Sequence, residues 1–150
     1  MNAIRSVLNK PRGEWPDSFE VRWDFSPENF FLAEDGAKPE DYAEAEYMIG
    51  EADLEEIDSK LHGASRRDST QLWAVASSKV AGAILHWSGG GLMTPPHLEI
   101  AMGHLVIVGG NNRMAVCRAD GQVRLPFLYP ISQTALFAAK LTTFSPRASV

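Results

Sequence analysis

Residues 109 to 113 are the segment of this chain whose residue types and spacing are best suited to chemistry. They follow a β-branched apolar run, residues 105–108, and read Gly109, Gly110, Asn111, Asn112 and Arg113. Glycines allow a backbone to approach a ligand closely, and the free N–H groups that begin a helix attract anions. The guanidinium of Arg113 adds a charge-assisted donor for phosphate. The segment therefore predicts a phosphate-binding loop, with a plain strand-to-helix turn that exposes its arginine as the alternative.

Two strands and a helix must position this loop. Residues 105–108 predict a buried strand before it, and residues 125–129 predict a second buried strand after it. Between them, Asn111 or Asn112 is suited to cap a helix that Gly121 ends. Cys117 falls on the inward face of that helix, so we expect a buried, unreactive thiol.

The rest of the chain predicts one further strand and several helices. Residues 19–25 alternate apolar and charged side chains, which is typical of a half-exposed strand. The acidic zone from Glu34 to Ala52 has apolar residues at helical spacing from Pro39 onward, and these are Tyr42, Ala45, Met48 and Ile49. Further helices are expected at residues 53–61, from residues 68–70 through Trp87, and at 132–141.

Composition and charge exclude several classes of protein. The chain has 150 residues, a formal net charge of −5 and one cysteine. A single cysteine forms no disulfide within the chain, which is typical of a reducing compartment, so we expect a cytoplasmic protein. The sequence predicts no membrane segment, and the acidic charge argues against nucleic-acid binding driven by bulk charge. His97 and His104 lack the spacing of a metal site, so none is expected.

The stretch from Leu72 to Tyr129 resembles the ParB/sulfiredoxin superfamily. Members carry a strand, a Gly-x-x-Arg loop that opens a helix, a glycine that closes the helix, and an apolar strand near a proline. Gly110 to Arg113, Gly121 and Leu125-Pro126 match that pattern in place, whereas Val116 stands where the pattern has alanine. The resemblance and the predicted elements together imply an α/β (α+β) fold, a small mixed sheet flanked by helices. We expect a lead-in at residues 1–17, one domain at 18–144 and a frayed tail at 145–150.

The resemblance also implies a site. In the superfamily the loop after the first strand faces the phosphate loop, which makes Glu28 the candidate catalytic residue, either for holding a metal or for accepting a proton. A first-turn acid that stabilises a helix dipole is the alternative. Asp24, Glu34, Asp35 and Glu99 are weaker candidates, and we expect Glu99 to face solvent. Sulfiredoxin activity is not expected, because that activity needs a cysteine inside the loop.

Two functions stay open at this stage. The first is nucleotide handling, because relatives bind ATP or CTP with Mg²⁺ and hydrolyse nucleotides, phosphorylate small molecules or cut DNA, often in plasmids or phages. The second is a catalytically silent interaction or inhibitor protein, similar to the Osa-like fertility inhibitors that block transfer machinery. In that case the acidic helices expected between Glu34 and Asp58 would occupy a basic surface on a protein partner.

Overall fold

The computed structural model describes residues 20–34, 36–43, 46–61 and 77–147, where one mixed sheet is flanked by helices. The strands are β1 Tyr47–Asp53, β2 His97–Ala101, β3 His104–Gly109, β4 Arg124–Pro130 and β5 Ser145–Pro146. The α-helices are α1 Leu54–Lys60, α2 Ser77–Ser88, α3 Asn111–Asp120 and α4 Thr134–Lys140. Shorter 3-10 helices cover Pro27–Ala33, Pro39–Asp41 and Ile131–Gln133. The predicted α+β class with a small mixed sheet is confirmed.

The strand order is β3-β2-β4-β1-β5, and only the contact between β2 and β4 is parallel. β2 and β3 form an antiparallel hairpin, in which His97 pairs with Gly109. The chain leaves β3 through α3 and returns as β4, which pairs antiparallel with β1 over seven residues. This hairpin register places the start of β2 and the loop before α3 at the same end of the sheet.

Hydrophobic side chains pack on both sides of β4. Phe127 and Tyr129 belong to the main core beneath the α-helices, which also contains Trp87, Met114 and Cys117. The predicted burial of Cys117 is therefore confirmed. On the other side, Leu128 joins a smaller cluster formed by the 3-10 helix Pro27–Ala33 and its neighbours, namely Phe30, Ala33, Tyr42 and Ile49. The alternation along one strand thus divides the apolar side chains between two layers.

β5 extends the sheet by two residues beside β1. Ser145 pairs with Glu51 and Pro146 pairs with Gly50, and the Arg147 N–H donates to the Ile49 carbonyl at 2.8 Å. The sequence assigns these residues to a frayed tail, whereas in the structure Ser145 and Pro146 form a strand.

The predicted helix from Pro39 through Ile49 is wrong. That segment contains one turn of 3-10 helix and the beginning of β1. The spacing of apolar residues in this segment fits a helix and a strand equally well. Seven cross-strand pairs with β4 stabilise the strand. Within the strand, position 50 requires glycine, because a Cβ there would lie 2.6 Å from the ring of Phe144 and 2.9 Å from that of Tyr129.

The other predicted helices are found with altered bounds. Helices expected at 53–61 and 132–141 appear as α1 and α4, and α2 is described from Ser77 onward. The predicted strand at 19–25 is wrong, because residues 20–25 are irregular apart from an isolated bridge between Trp23 and Met93, and Phe19 lies outside the described residues. Within the described part of the chain, every helix is too short or too polar to cross a bilayer.

Candidate functional site

A cleft of about 820 Å³ opens beside the loop that the sequence singles out. Its walls come from α2, from residues 92–94, from the end of β3 and from residues near the first 3-10 helix. All five residues of the predicted phosphate loop line it, and these are Gly109, Gly110, Asn111, Asn112 and Arg113. The structure therefore brings the predicted loop to the edge of a cavity large enough for a nucleotide.

The loop forms because the residue after β3, Gly110, has a backbone conformation that only glycine adopts easily. Gly110 has a φ of 92° and is the N-cap of α3, and no side chain caps this helix end. The first helical hydrogen bond runs from Met114 N–H to the Gly110 carbonyl. The first N–H groups of an α-helix have no partner within the helix and favour an anion, and the start of α3 lies at the cleft.

Gly109 has a packing role that its sequence context does not reveal. A Cβ at this position would overlap the Ala33 carbonyl oxygen and lie 2.8 Å from Glu34 Cα. The end of the 3-10 helix Pro27–Ala33 thus rests directly on the backbone of β3. Close approach of protein backbone explains this glycine without a ligand.

Arg113 also stabilises the position of the 3-10 helix Pro27–Ala33 beside the loop. Its guanidinium donates from Nη1 to the Leu32 carbonyl at 3.2 Å and from Nη2 to the Ala33 carbonyl at 2.6 Å. The residue is only 9% exposed although it lines the cleft. Arg113 therefore joins α3 to the 3-10 helix, a role that sequence reasoning missed because its partners are backbone atoms far along the chain.

The two asparagines between Gly110 and Arg113 are half-buried. The Oδ1 atoms of Asn111 and Asn112 are shielded from solvent and have no hydrogen-bond partner within the described chain. Buried amide oxygens without a partner are uncommon and costly. Each side chain thus keeps one buried acceptor oxygen without a partner among the described residues.

Of the described carboxylates, Asp24 and Glu34 line the cleft and the predicted catalytic residue Glu28 does not, and the weaker candidate Asp35 lies outside the described residues. Partial burial opposes ionisation of Asp24, but hydrogen bonds from the backbone and side chain of Ser26 and from Asn29 lower its pKa below the usual value. Glu28 is exposed and lines a separate cavity of about 230 Å³ beside Phe31. The structure therefore does not bring Glu28 to the phosphate loop.

A second cavity of about 340 Å³ adjoins the cleft, and Glu34 and Val108 line both. Its other polar side chains include Tyr42, His97 and Glu99. Burial lowers the pKa of His97 to about 4, so the ring is neutral near pH 7. Glu99 was expected to face solvent, but it is half-buried, and burial followed by the charge of Glu34 raises its pKa. Sequence reasoning did not predict that these side chains lie together, because their arrangement depends on the register of β2.

The described residues contain no cluster of three or more His, Cys, Asp or Glu side chains suited to a metal ion. A divalent cation at the cleft would therefore need ligands from a bound molecule in addition to the protein carboxylates. Comparison with known proteins finds no matching family model, no matching curated protein and no matching solved structure.

Proposed function

We propose that the cleft binds a nucleoside phosphate and that the protein is a nucleotide-handling member of the ParB/sulfiredoxin type. The observation that carries this proposal is the uncapped start of α3, which lies at a cleft of about 820 Å³. Phosphate is the anion that most often occupies such a helix end. The order β3, glycine loop, α3 and β4 supports the proposal because it follows the pattern quoted from the sequence.

The remaining walls of the cleft suit a nucleobase. Leu92 and Leu32 are each 52% exposed at its rim, and Met93 and Ile107 line it further in. Gly82 on α2 leaves this wall open, because nothing lies within 4 Å of a Cβ placed there. An apolar wall opposite a helix start provides one surface for a base and another for its phosphates.

The carboxylates of the cleft make Mg²⁺ part of the proposal. Asp24 and Glu34 would repel a bare triphosphate, whereas Mg²⁺ is commonly held by one or two carboxylates together with phosphate oxygens. ATP or CTP with Mg²⁺ is accordingly the ligand we propose. Hydrolysis or transfer of its phosphate is the reaction class, and a small molecule or DNA would be the second substrate in a kinase or nuclease.

A thermal-shift screen tests this function. ATP, CTP, ADP and inorganic phosphate are each added with and without Mg²⁺. A ligand at a hundred times its dissociation constant stabilises the folded state by about 2.7 kcal/mol. We expect stabilisation by a triphosphate with Mg²⁺ and a much smaller effect without it.

A pair of charge variants makes the screen specific. Asn112→Asp places a carboxylate at the phosphate position and should remove the shift, whereas Ser132→Asp adds the same charge at an exposed site outside the cleft and should not. The role of Glu28 in catalysis stays a prediction, and Glu28→Gln with intact turnover would assign catalysis elsewhere. Absence of any shift in the wild type would refute the proposed function.

The interaction-protein alternative rests on a specific observation of its own. Arg113 donates to backbone carbonyls, so part of its capacity for phosphate is already used. Among the described residues between Glu34 and Asp58, four carboxylates are exposed outside the cleft, at Glu40, Asp41, Glu46 and Glu55. If the screen shows no shift, salt-sensitive capture of a basic partner that is lost when these four are replaced by lysine would favour this alternative.

A further inference from the structure

The second cavity, of about 340 Å³, has a strongly acidic lining. The carboxylates of Glu34, Asp41 and Glu99 line it, and its described lining contains no lysine or arginine. Burial, followed by the charges of Glu99 and of three further carboxylates, raises the pKa of the Tyr47 hydroxyl in the same lining. The cavity therefore favours a cation over a neutral or anionic ligand.

Hydrogen bonds at this cavity determine which nitrogen of His97 carries the hydrogen. The Tyr42 hydroxyl has a single hydrogen, which it donates to Glu34 Oε2 at 3.0 Å. The same hydroxyl oxygen lies 2.7 Å from His97 Nδ1, so the hydrogen of this second contact comes from the ring. Burial lowers the pKa of His97 to about 4, so the ring has no second hydrogen near pH 7. His97 Nε2 is therefore an acceptor.

His97 Nε2 and Glu99 Oε2 are two acceptors placed side by side in this lining. They lie 2.7 Å apart, and Nε2 is shielded from solvent and has no hydrogen-bond partner among the described residues. His97 is only 2% exposed. Two lone pairs at this distance repel each other, and a buried acceptor without a donor is costly. A positively charged group with several N–H donors would satisfy both atoms.

We propose that the second cavity binds the primary ammonium group of a small molecule, which donates to His97 Nε2 and to Glu99. An ammonium group carries three N–H donors on one atom, so it can donate to two neighbouring acceptors and to a third group of the lining. The rings of Tyr42 and Tyr47, with centroids 4.8 Å apart, provide aromatic surface for the cation. The volume is at the lower end of the range for small-molecule sites, about 300 to 1,000 Å³.

Other cations fit this lining less well. A divalent metal ion bound by protein needs several ligands, and the described residues contain no cluster of three or more His, Cys, Asp or Glu side chains suited to one. A quaternary ammonium group has the charge but no hydrogen for Nε2. A guanidinium group pairs best with the two oxygens of one carboxylate, whereas the adjacent acceptors here belong to His97 and Glu99.

An NMR titration of the protein with nitrogen-15-labelled histidine tests this site. The probes are propylammonium, trimethylpropylammonium, which has the charge without N–H donors, and 1-propanol, which has no charge. We expect propylammonium to shift the Nε2 signal of His97 in a saturable manner. It should bind about tenfold or more tightly than either comparison probe, because only it forms charge-assisted hydrogen bonds.

Two matched substitutions locate the binding. Glu99→Gln removes one charge from the cavity and keeps the size of the side chain, so propylammonium should bind about tenfold more weakly. Glu55→Gln removes the same charge at an exposed position of α1 outside the cavity and should leave the affinity unchanged. The three probes decide the result in the wild type even if Glu99→Gln does not fold.

Absence of saturable binding, or equal affinity for either comparison probe, would overturn the proposal. A Zn²⁺ titration that shifts the His97 signal when propylammonium does not would assign the cavity to a metal ion instead. Tighter binding of Nα-acetyl-lysine methylamide than of propylammonium would assign it to a lysine side chain of a protein. These measurements use no nucleotide, so their outcome is independent of the proposed function of the cleft.

Discussion

Arg113 shows how one side chain can stand at a site and hold the fold at the same time. Its guanidinium stabilises the end of the 3-10 helix Pro27–Ala33 by donating to the carbonyls of its last two residues, Leu32 and Ala33. A buried charge is stable only when such partners are present. The residue that the sequence assigns to a ligand is therefore also a structural link.

Arg113→Ala should destabilise the protein. The variant leaves the Leu32 and Ala33 carbonyls without their donor, and a hydrogen bond from a charged group contributes about 1.5 to 3 kcal/mol. Urea unfolding measures the loss. Arg22→Ala is the control, because Arg22 pairs with Glu20 at an exposed position and should contribute about 1 kcal/mol or less. Equal losses in the two variants would contradict the structural role of Arg113.

The sequence located the site better than it assigned the roles within it. Residues 109 to 113 do line a cleft, because the order of strand, glycine loop and helix is a local pattern. The partners of Arg113 and the environment of Glu28 depend on where the first 3-10 helix packs, and that is set by contacts distant in the chain. That Tyr42, His97 and Glu99 lie together was not predicted, for the same reason.

Among the elements, the contact between β3 and the first 3-10 helix positions the cleft. Backbone meets backbone at Gly109, so the distance between these elements is shorter than any other residue would allow. Helix α2 forms the opposite wall, and its Gly82 has free space around it. Gly109 and Gly82 both line the cleft, but a side chain would clash at Gly109 and has free space at Gly82.

Substitution by alanine should change the stability of the fold in opposite directions at the two glycines. Gly109→Ala forces the 3-10 helix away from β3 and should destabilise the fold by about 1 to 3 kcal/mol, as overpacking does. Gly82→Ala fills open space within a helix and should stabilise it by about 0.5 to 1 kcal/mol. Denaturant unfolding of both variants provides the comparison. A tolerated Gly109→Ala would mean that the two elements are not in close contact.

Element prediction succeeded where local signals and packing agree. Gly121 ends α3 with a φ of 77°, and the apolar run before Tyr129 forms β4 as expected. The beginning of β1 was predicted as part of a helix because its spacing fits both structures and its partner strand lies far along the chain. Local spacing cannot resolve such a segment, because only the register with β4 decides it.

At the scale of the whole molecule, Glu56 links the helix that follows β1 to the segment that precedes β5. Both of its carboxylate oxygens accept hydrogen bonds, from the backbone N–H and side-chain hydroxyl of Thr142 and of Thr143. Desolvation opposes ionisation of Glu56, but these four donors lower its pKa from about 4.5 to about 2. The link therefore joins α1 to the turn that follows α4.

The stability of the protein should fall in acid partly through this residue. A carboxyl group whose pKa is lowered by folding stabilises the native state above its unfolded pKa, and the gain is lost as pH falls from about 4.5 to about 2. Because the carboxylate is open to solvent, we expect a contribution of about 1 to 2 kcal/mol. Glu56→Ala should lose this amount at pH 7 and almost nothing near pH 2, as measured by urea unfolding.

Glu55→Ala is the control for this acid dependence. Glu55 is the preceding residue of α1 and is exposed, so its replacement should change stability little at either pH. A gap between the wild type and Glu56→Ala that stays constant from pH 7 to pH 2 would contradict the link.

The two residues of β5 also affect whether copies of this protein can associate through the edge of the sheet. Arg147 directs its N–H toward β1, so by the alternation of a strand the neighbouring position 146 directs its backbone nitrogen outward. That residue is Pro146, which has no hydrogen to donate. A strand from another molecule that approached this edge would lack a donor at its centre. The proline therefore ends the growth of the sheet on this side and protects the molecule from edge-to-edge aggregation.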